Sequence, residues 1–134
     1  MIVILVRWVF RLFMFLATIN KPKQLLYLSF IHKVGAEEME RARANVEMLL
    51  ADLTSGFRLL TDLERLDSMD LNCAKEIARI MELCDQKGIA FVVRVIPDQA
   101  KDIGLNILSL FHYRRPPRIL NCKDMVEAAE ALSL

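Results

Sequence analysis

Two hydrophobic periods alternate along the chain. Residues 89–96, IAFVVRVI, form a nearly continuous apolar run stopped by Pro97, the pattern of a strand buried on both faces. Residues 25–33, LLYLSFIHK, are rich in strand formers and end near Gly35, and residues 57–63 give a second strand. Between them the spacing changes to three and four. Met39, Ala42, Val46, Leu49, Leu50 and Leu53 fall on one face, while Glu37, Glu38, Glu40, Arg41 and Arg43 occupy others. This predicts an amphipathic helix from Ala36, with acids in its first turn where the dipole favours them, ended by Thr54-Ser55-Gly56. A second helix is predicted over 70–87, with Leu71, Ala74, Ile77, Ala78, Met81 and Cys84 toward the core and Gly88 as its terminator. A third, over 98–111, is weakened by Gly104. Residues 118–120 make a short last strand, and Asn121 or Asp124 caps a final helix over 125–132.

From residue 25 the order is β-α-β-α-β-α-β-α. Strands alternating with helices predict an α/β fold of about four mostly parallel strands and four covering helices, joined by right-handed crossovers. In such folds function concentrates where loops leave the carboxyl ends of strands, here residues 33–37, 63–70 and 97–101.

Residues 1–20 stand apart as an apolar segment ahead of a domain over 21–134. They have the length of a membrane span, but Arg7 and Arg11 would each cost roughly 2.5–3.5 kcal/mol near its centre. Three readings stay open: an interfacial or membrane-anchoring helix with both arginines on one face, an edge strand, or an extension ahead of the true start. No small-x-small cleavage site follows, which argues against a secretory signal.

Charge and chemistry narrow the function further. Eighteen basic residues against 17 acidic ones give no reason to expect nucleic acid as a partner. Three cysteines, Cys73, Cys84 and Cys122, form no CxxC pair, which favours a reducing compartment and so the cytoplasm, with the inner face of the membrane as a further contact through residues 1–20. The two histidines, His32 and His112, are far apart, and GxxxxGK[ST], GxGxxG and GxSxG are all missing from the sequence. No catalytic residue, cofactor or metal is therefore assigned. The acids Asp62, Glu64, Asp67 and Asp70 resemble a hard-cation set, but Ile89 is preceded by no comparable acid. The loop 112–118 gathers Arg114, Arg115 and Arg118 beside Tyr113 and two prolines, the best candidate for an anion or membrane contact.

The segment 57–71, FRLLTDLERLDSMDL, reads as strand, turn and helix start. Asp67 as N-cap with Asp70 three residues on, or Ser68 as N-cap, accounts for its polar residues as helix-start chemistry. Cys73 lies near the same start, either a packing residue or a thiolate favoured by the dipole.

From about residue 25 to 132 the chain resembles STAS domains, the family of bacterial anti-sigma factor antagonists and of the cytoplasmic domains of sulfate transporters. There a strand ending Asp-Leu is followed by Asp-Ser-Ser/Thr-Gly-Leu opening a helix. Thr61-Asp62-Leu63 and Asp67-Ser68-Met69-Asp70-Leu71 fit that frame, and the 89–96 strand, the helix with Ile103-Gly104-Leu105 and the short last strand follow in order. The resemblance implies a non-enzymatic regulatory module that binds a protein partner, a kinase-like anti-sigma factor or another signalling protein, through Asp67, Ser68, Met69, Asp70 and Cys73. Met69 stands where the partner kinase phosphorylates a hydroxyl, and Asp70 where the family has glycine, so the usual serine switch does not carry over. Ser68 is the substitute phosphoacceptor. The alternative is a membrane-associated lipid- or small-ligand-binding domain of STAS/Sec14-like type.

Overall fold

A computed structural model describes residues 14–96 and 112–134. The helix predicted over 98–111, with Ile103-Gly104-Leu105, lies outside the described residues, as do Arg7 and Arg11. In chain order the elements are β1 (Phe15–Asn20), β2 (Leu25–Phe30), β3 (His32–Val34), α1 (Ala36–Leu49), β4 (Arg58–Asp62), β5 (Leu66–Met69), α2 (Ala74–Lys87), β6 (Phe91–Val95), β7 (Arg118–Cys122) and α3 (Met125–Leu132). Single 3₁₀ turns, Leu50–Asp52 and Leu71–Cys73, end α1 and precede α2.

One sheet runs in the order β1-β2-β4-β6-β7. The last four strands are parallel, and β1 is antiparallel to β2. Strand alternation sends neighbours to opposite layers. Leu59 and Val92 join the core shared with α1 and α2, while Leu60 and Val93 face the core shared with α3. Burial on both sides is why β6 reads as an unbroken apolar run, with Val92, Val93 and Val95 each at 1% exposure or less. Between α1 and α2, Arg43 bridges Glu47 and Glu76, each at 3.0 Å.

The helices follow their periodicity closely. Met39, Ala42 and Val46 line the buried face of α1, and the Gly35 N–H at its start donates to Glu38 Oε2 at 3.1 Å. Gly88 ends α2 in the left-handed conformation at φ 91°, its N–H reaching the Cys84 and Asp85 carbonyls. Of the two caps predicted for the last helix, Asp124 is the one used. Its Oδ1 accepts from the Glu127 N–H at 2.9 Å, and Glu127 Oε2 accepts from the Lys123 N–H at 3.0 Å.

Three expectations change. The sheet begins before residue 21, because Phe15–Asn20 pairs with β2 through a turn closed by the Gln24 N–H on the Lys21 carbonyl. The strand predicted over 25–33 is two strands. His32 adopts φ 57°, where its N–H donates to the Arg65 carbonyl, and the chain leaves the main sheet to pair in parallel with β5. Residues 66–69 are consequently extended rather than a helix start. Leu71 and Ala74, placed toward the core by helical spacing, are exposed, Leu71 at 85%. Among the described residues no helix is long and apolar enough to cross a membrane.

Candidate docking site at the carboxyl ends of the strands

The parallel strands β2, β4 and β6 all end on one side of the molecule, and β3 and β5 form a short second ladder there. Its backbone is tied at both ends: His32 N–H to the Arg65 carbonyl at 2.9 Å, and Asp70 N–H to the Val34 carbonyl at 3.0 Å. Lys33 stands opposite Ser68, and Val34 opposite Met69. Asp62, at the end of β4, accepts from the Glu64 N–H at 2.9 Å and from the Tyr27 hydroxyl at 3.3 Å. The rim is thus a backbone fixed by ladder bonds, with Leu66 buried, Asp67 and Ser68 exposed and Met69 half-buried along β5.

The sequence candidates differ in exposure. Asp67 and Ser68 are exposed, and neither caps a helix. Asp67 Oδ2 lies 3.7 Å from His32 Nδ1, a contact between two exposed side chains and so worth little. The helix-start chemistry belongs to Asp70, whose Oδ1 accepts from the Asn72 N–H at 3.0 Å. The residue types Asp67 and Ser68 suit a cap, but the segment is extended: Ser68 pairs with Lys33, and Asp67 falls at the register shift of the ladder.

Met69 is half-buried. It packs on the main core and lines a cavity of about 50 Å³ together with Met39, Met81, Leu59 and Val92. Cys73 is fully buried, which corrects its placement as a partner contact. Its thiol lies 3.6 Å from the Val34 carbonyl, and burial first, then the nearby Asp70 carboxylate, push its pKa up. A reactive thiolate is disfavoured on both counts. Sequence reasoning missed the exposure of Leu71, since a leucine at helical spacing reads as core. The available signal was Asp70-Leu71-Asn72, an Asp whose carboxylate caps the residue two ahead and turns the residue between outward.

The arginine loop lies at the other end of the sheet, since Arg118 opens β7 opposite Phe91, the first residue of β6. Its guanidinium sits 5.0 Å from the Phe91 ring centroid. Arg114 and Arg115 are exposed, with the Arg115 N–H donating to Asp85 Oδ1 at 3.3 Å. Tyr113 is buried, and that burial raises its pKa. His112 Nδ1 contacts Glu82 Oε1 at 2.9 Å. Strands of five residues, roughly 16 Å long, separate this loop from the Ser68 rim. Among the described residues no three His, Cys, Asp or Glu side chains converge as a metal site.

An α/β sheet with one antiparallel edge, two helices on one face and a short strand pair at the carboxyl ends is a STAS-like fold, and solved structures of that fold match it. A protein of the DUF3478 family from Shewanella loihica, described as having a SpoIIAA-like fold, is 19% identical, covering 88% of this chain and 93% of its own at TM-score 0.67. The anti-sigma factor antagonist SpoIIAA in its unphosphorylated form is 16% identical, covering 89% and 97% at TM-score 0.59. A candidate anti-sigma factor antagonist from Thermotoga maritima is 19% identical, covering 92% and 97% at TM-score 0.57. These likenesses establish the fold. No protein-family model and no curated protein matches the sequence.

Proposed function

We propose that this chain is a non-enzymatic regulatory module of the bacterial cytoplasm that docks a protein partner through the rim of β3, β5 and the turn before α2. One observation carries the reading: Asp67, Ser68, Asp70 and Leu71 are all exposed on a backbone fixed by ladder and cap bonds. A rigid, outward-facing mixture of apolar, hydroxyl and carboxylate groups offers binding at small ordering cost. Its position on a SpoIIAA-like fold supports the same reading.

The partner is a signalling protein, a kinase-like anti-sigma factor or one of similar role. Met69 has no acceptor oxygen, and Ser68 is the available phosphoacceptor. A phosphate there would add about 1.5 to 2 negative charges beside Asp67 and Asp70, enough to repel a partner that tolerates the rim unmodified. Membrane contact through residues 1–20 is a second proposed contact. The Ile31 N–H donates to the Met14 carbonyl at 2.9 Å, so the chain enters β1 beside the carboxyl end of β2.

Affinity capture with mass spectrometry tests this reading, using the full chain, Leu71→Ser, Ser68→Glu and an Arg114→Ala/Arg115→Ala loop variant. A signalling protein retained by the wild type and the loop variant but lost from both rim variants is the expected result. Equal retention by all four forms sinks the assignment of the rim.

A further inference from the structure

The cavity behind Met69 is an unassigned feature of the core. Leu59 and Val92 form its floor, and Met39, Met69 and Met81 its walls. Its volume of about 50 Å³ compares with about 150 Å³ for an engineered apolar cavity that takes up benzene or xenon in another protein. That is room for a molecule of a few heavy atoms, not for an acyl chain. Thr61, Arg94 and Tyr113 also line it, yet among the described residues no buried side-chain nitrogen or oxygen lacks a partner. The described part of the lining therefore makes no unmet polar demand on an apolar guest. Three flexible, polarizable methionine side chains let the walls adjust to what enters.

We infer that this cavity is a binding site for a small, compact apolar molecule, and that Met69 communicates its occupancy to the docking rim. The connection is covalent and short. Met69 is the last residue of β5, its backbone pairs with Val34, and its neighbours on either side are exposed Ser68 and Asp70. A guest that displaces the Met69 side chain acts directly on the strand that presents Ser68. This last link rests on the docking reading above; uptake of the guest does not.

Xenon is the probe, applied to the full chain labelled at its methionine methyl groups and backbone amides. Saturable shifts at Met39, Met69 and Met81 are expected, accompanied by amide shifts at Ser68 and Asp70. Met48, 77% exposed, supplies an internal reference that should not saturate. Val92→Ile, which adds one methylene to the floor, should abolish the methyl shifts; Met69→Phe fills the same space from the wall if that variant fails to fold. Methyl groups that do not saturate, or that move no more than Met48, overturn the site. Methyl shifts without movement at Ser68 and Asp70 overturn its connection to the rim. Neither result depends on partner capture, so this inference and the docking reading fail separately.

Discussion

The two ends of the sheet use their side chains in opposite ways. At the amino ends, Arg58 donates to the Leu132 carbonyl at 2.6 Å and to the Lys23 carbonyl at 2.9 Å, binding α3 and the β1–β2 turn to β4. Gln24 Oε1 accepts from the Thr54 N–H and hydroxyl, and the Gly56 N–H donates to the Gly88 carbonyl at 2.7 Å. Polar groups there close the fold. At the carboxyl ends the backbone is equally tied, yet Asp67, Ser68 and Leu71 project into solvent. Side chains committed inward are withdrawn from recognition, and although Arg114 and Arg115 also stand exposed at the amino ends, the rim is the surface proposed above for docking.

Removing bulk from the closed end should have the largest effect. Phe57 is fully buried just ahead of β4. Phe57→Ala is expected to cost about 3–5 kcal/mol, from lost transfer energy and an uncollapsed cavity, read as a lowered urea midpoint at constant m-value. A cost below that of the rim variants would reverse the contrast between the ends.

Alkali separates core from surface next. Burial, with a smaller contribution from Asp85, pushes the Cys84 thiol from its ordinary 9.0 up to about 12. Below the ordinary value both folded and unfolded states hold the proton, and the thiol adds no pH dependence. Between the two values the unfolded chain releases the proton while the folded protein keeps it. Cys84 alone should then take off on the order of 1.4 kcal/mol of stability per pH unit. Cys84→Ala should reduce the slope by that share in denaturation series run across the window, leaving the part that comes from the raised Cys73 and Tyr113.

Gly88 offers a third contrast. At φ 91° a side chain is strained, and a Cβ would also meet the Ser55 hydroxyl. Gly88→Ala should cost about 1–2 kcal/mol by its backbone alone. Adding Ser55→Gly should recover only the steric part, which thermal melts of the single and double variants resolve. An equal, full recovery would remove backbone strain as the cause.

How much of this was legible follows from the range of the forces involved. β6, α1 and α3 were visible because their patterns are local: two-sided burial gives a continuous apolar run, one-sided burial a period of three and four, and Asp124 caps from three residues away. The β3–β5 ladder was not. Strands of three and four residues are too short to show a period, and their partners lie more than thirty positions apart in the chain. Asp67 and Ser68 carried cap-like residue types into an extended segment, so the helix start was placed too early. β1 stayed one of three readings, the edge strand, for a different reason: its residues continue an apolar run whose start also suggested a membrane segment.

At the open end, Asp70→Ala should cost about 1 kcal/mol through loss of the bond to the Asn72 N–H. Faster hydrogen exchange confined to residues 71–74 would accompany it. Asp70→Asn keeps an acceptor and should retain most of that stability; if it does not, charge rather than capping holds the turn.

Leu71→Ser sharpens the comparison most, because its effect on folding should be the smallest. With 85% of the side chain in solvent, the native state has almost no packing to lose, and stability should change by no more than about 0.5 kcal/mol. Partner affinity should change far more. An exposed apolar side chain buried at the centre of an interface contributes about 1–2 kcal/mol, a factor of roughly 5–30 in Kd. Calorimetric titration of the purified partner against wild type and Leu71→Ser, beside matched urea denaturation, separates the two quantities. Weaker binding at unchanged stability assigns Leu71 to recognition. Unchanged binding would leave the rim exposed without being a contact, and the two ends would then differ in packing alone.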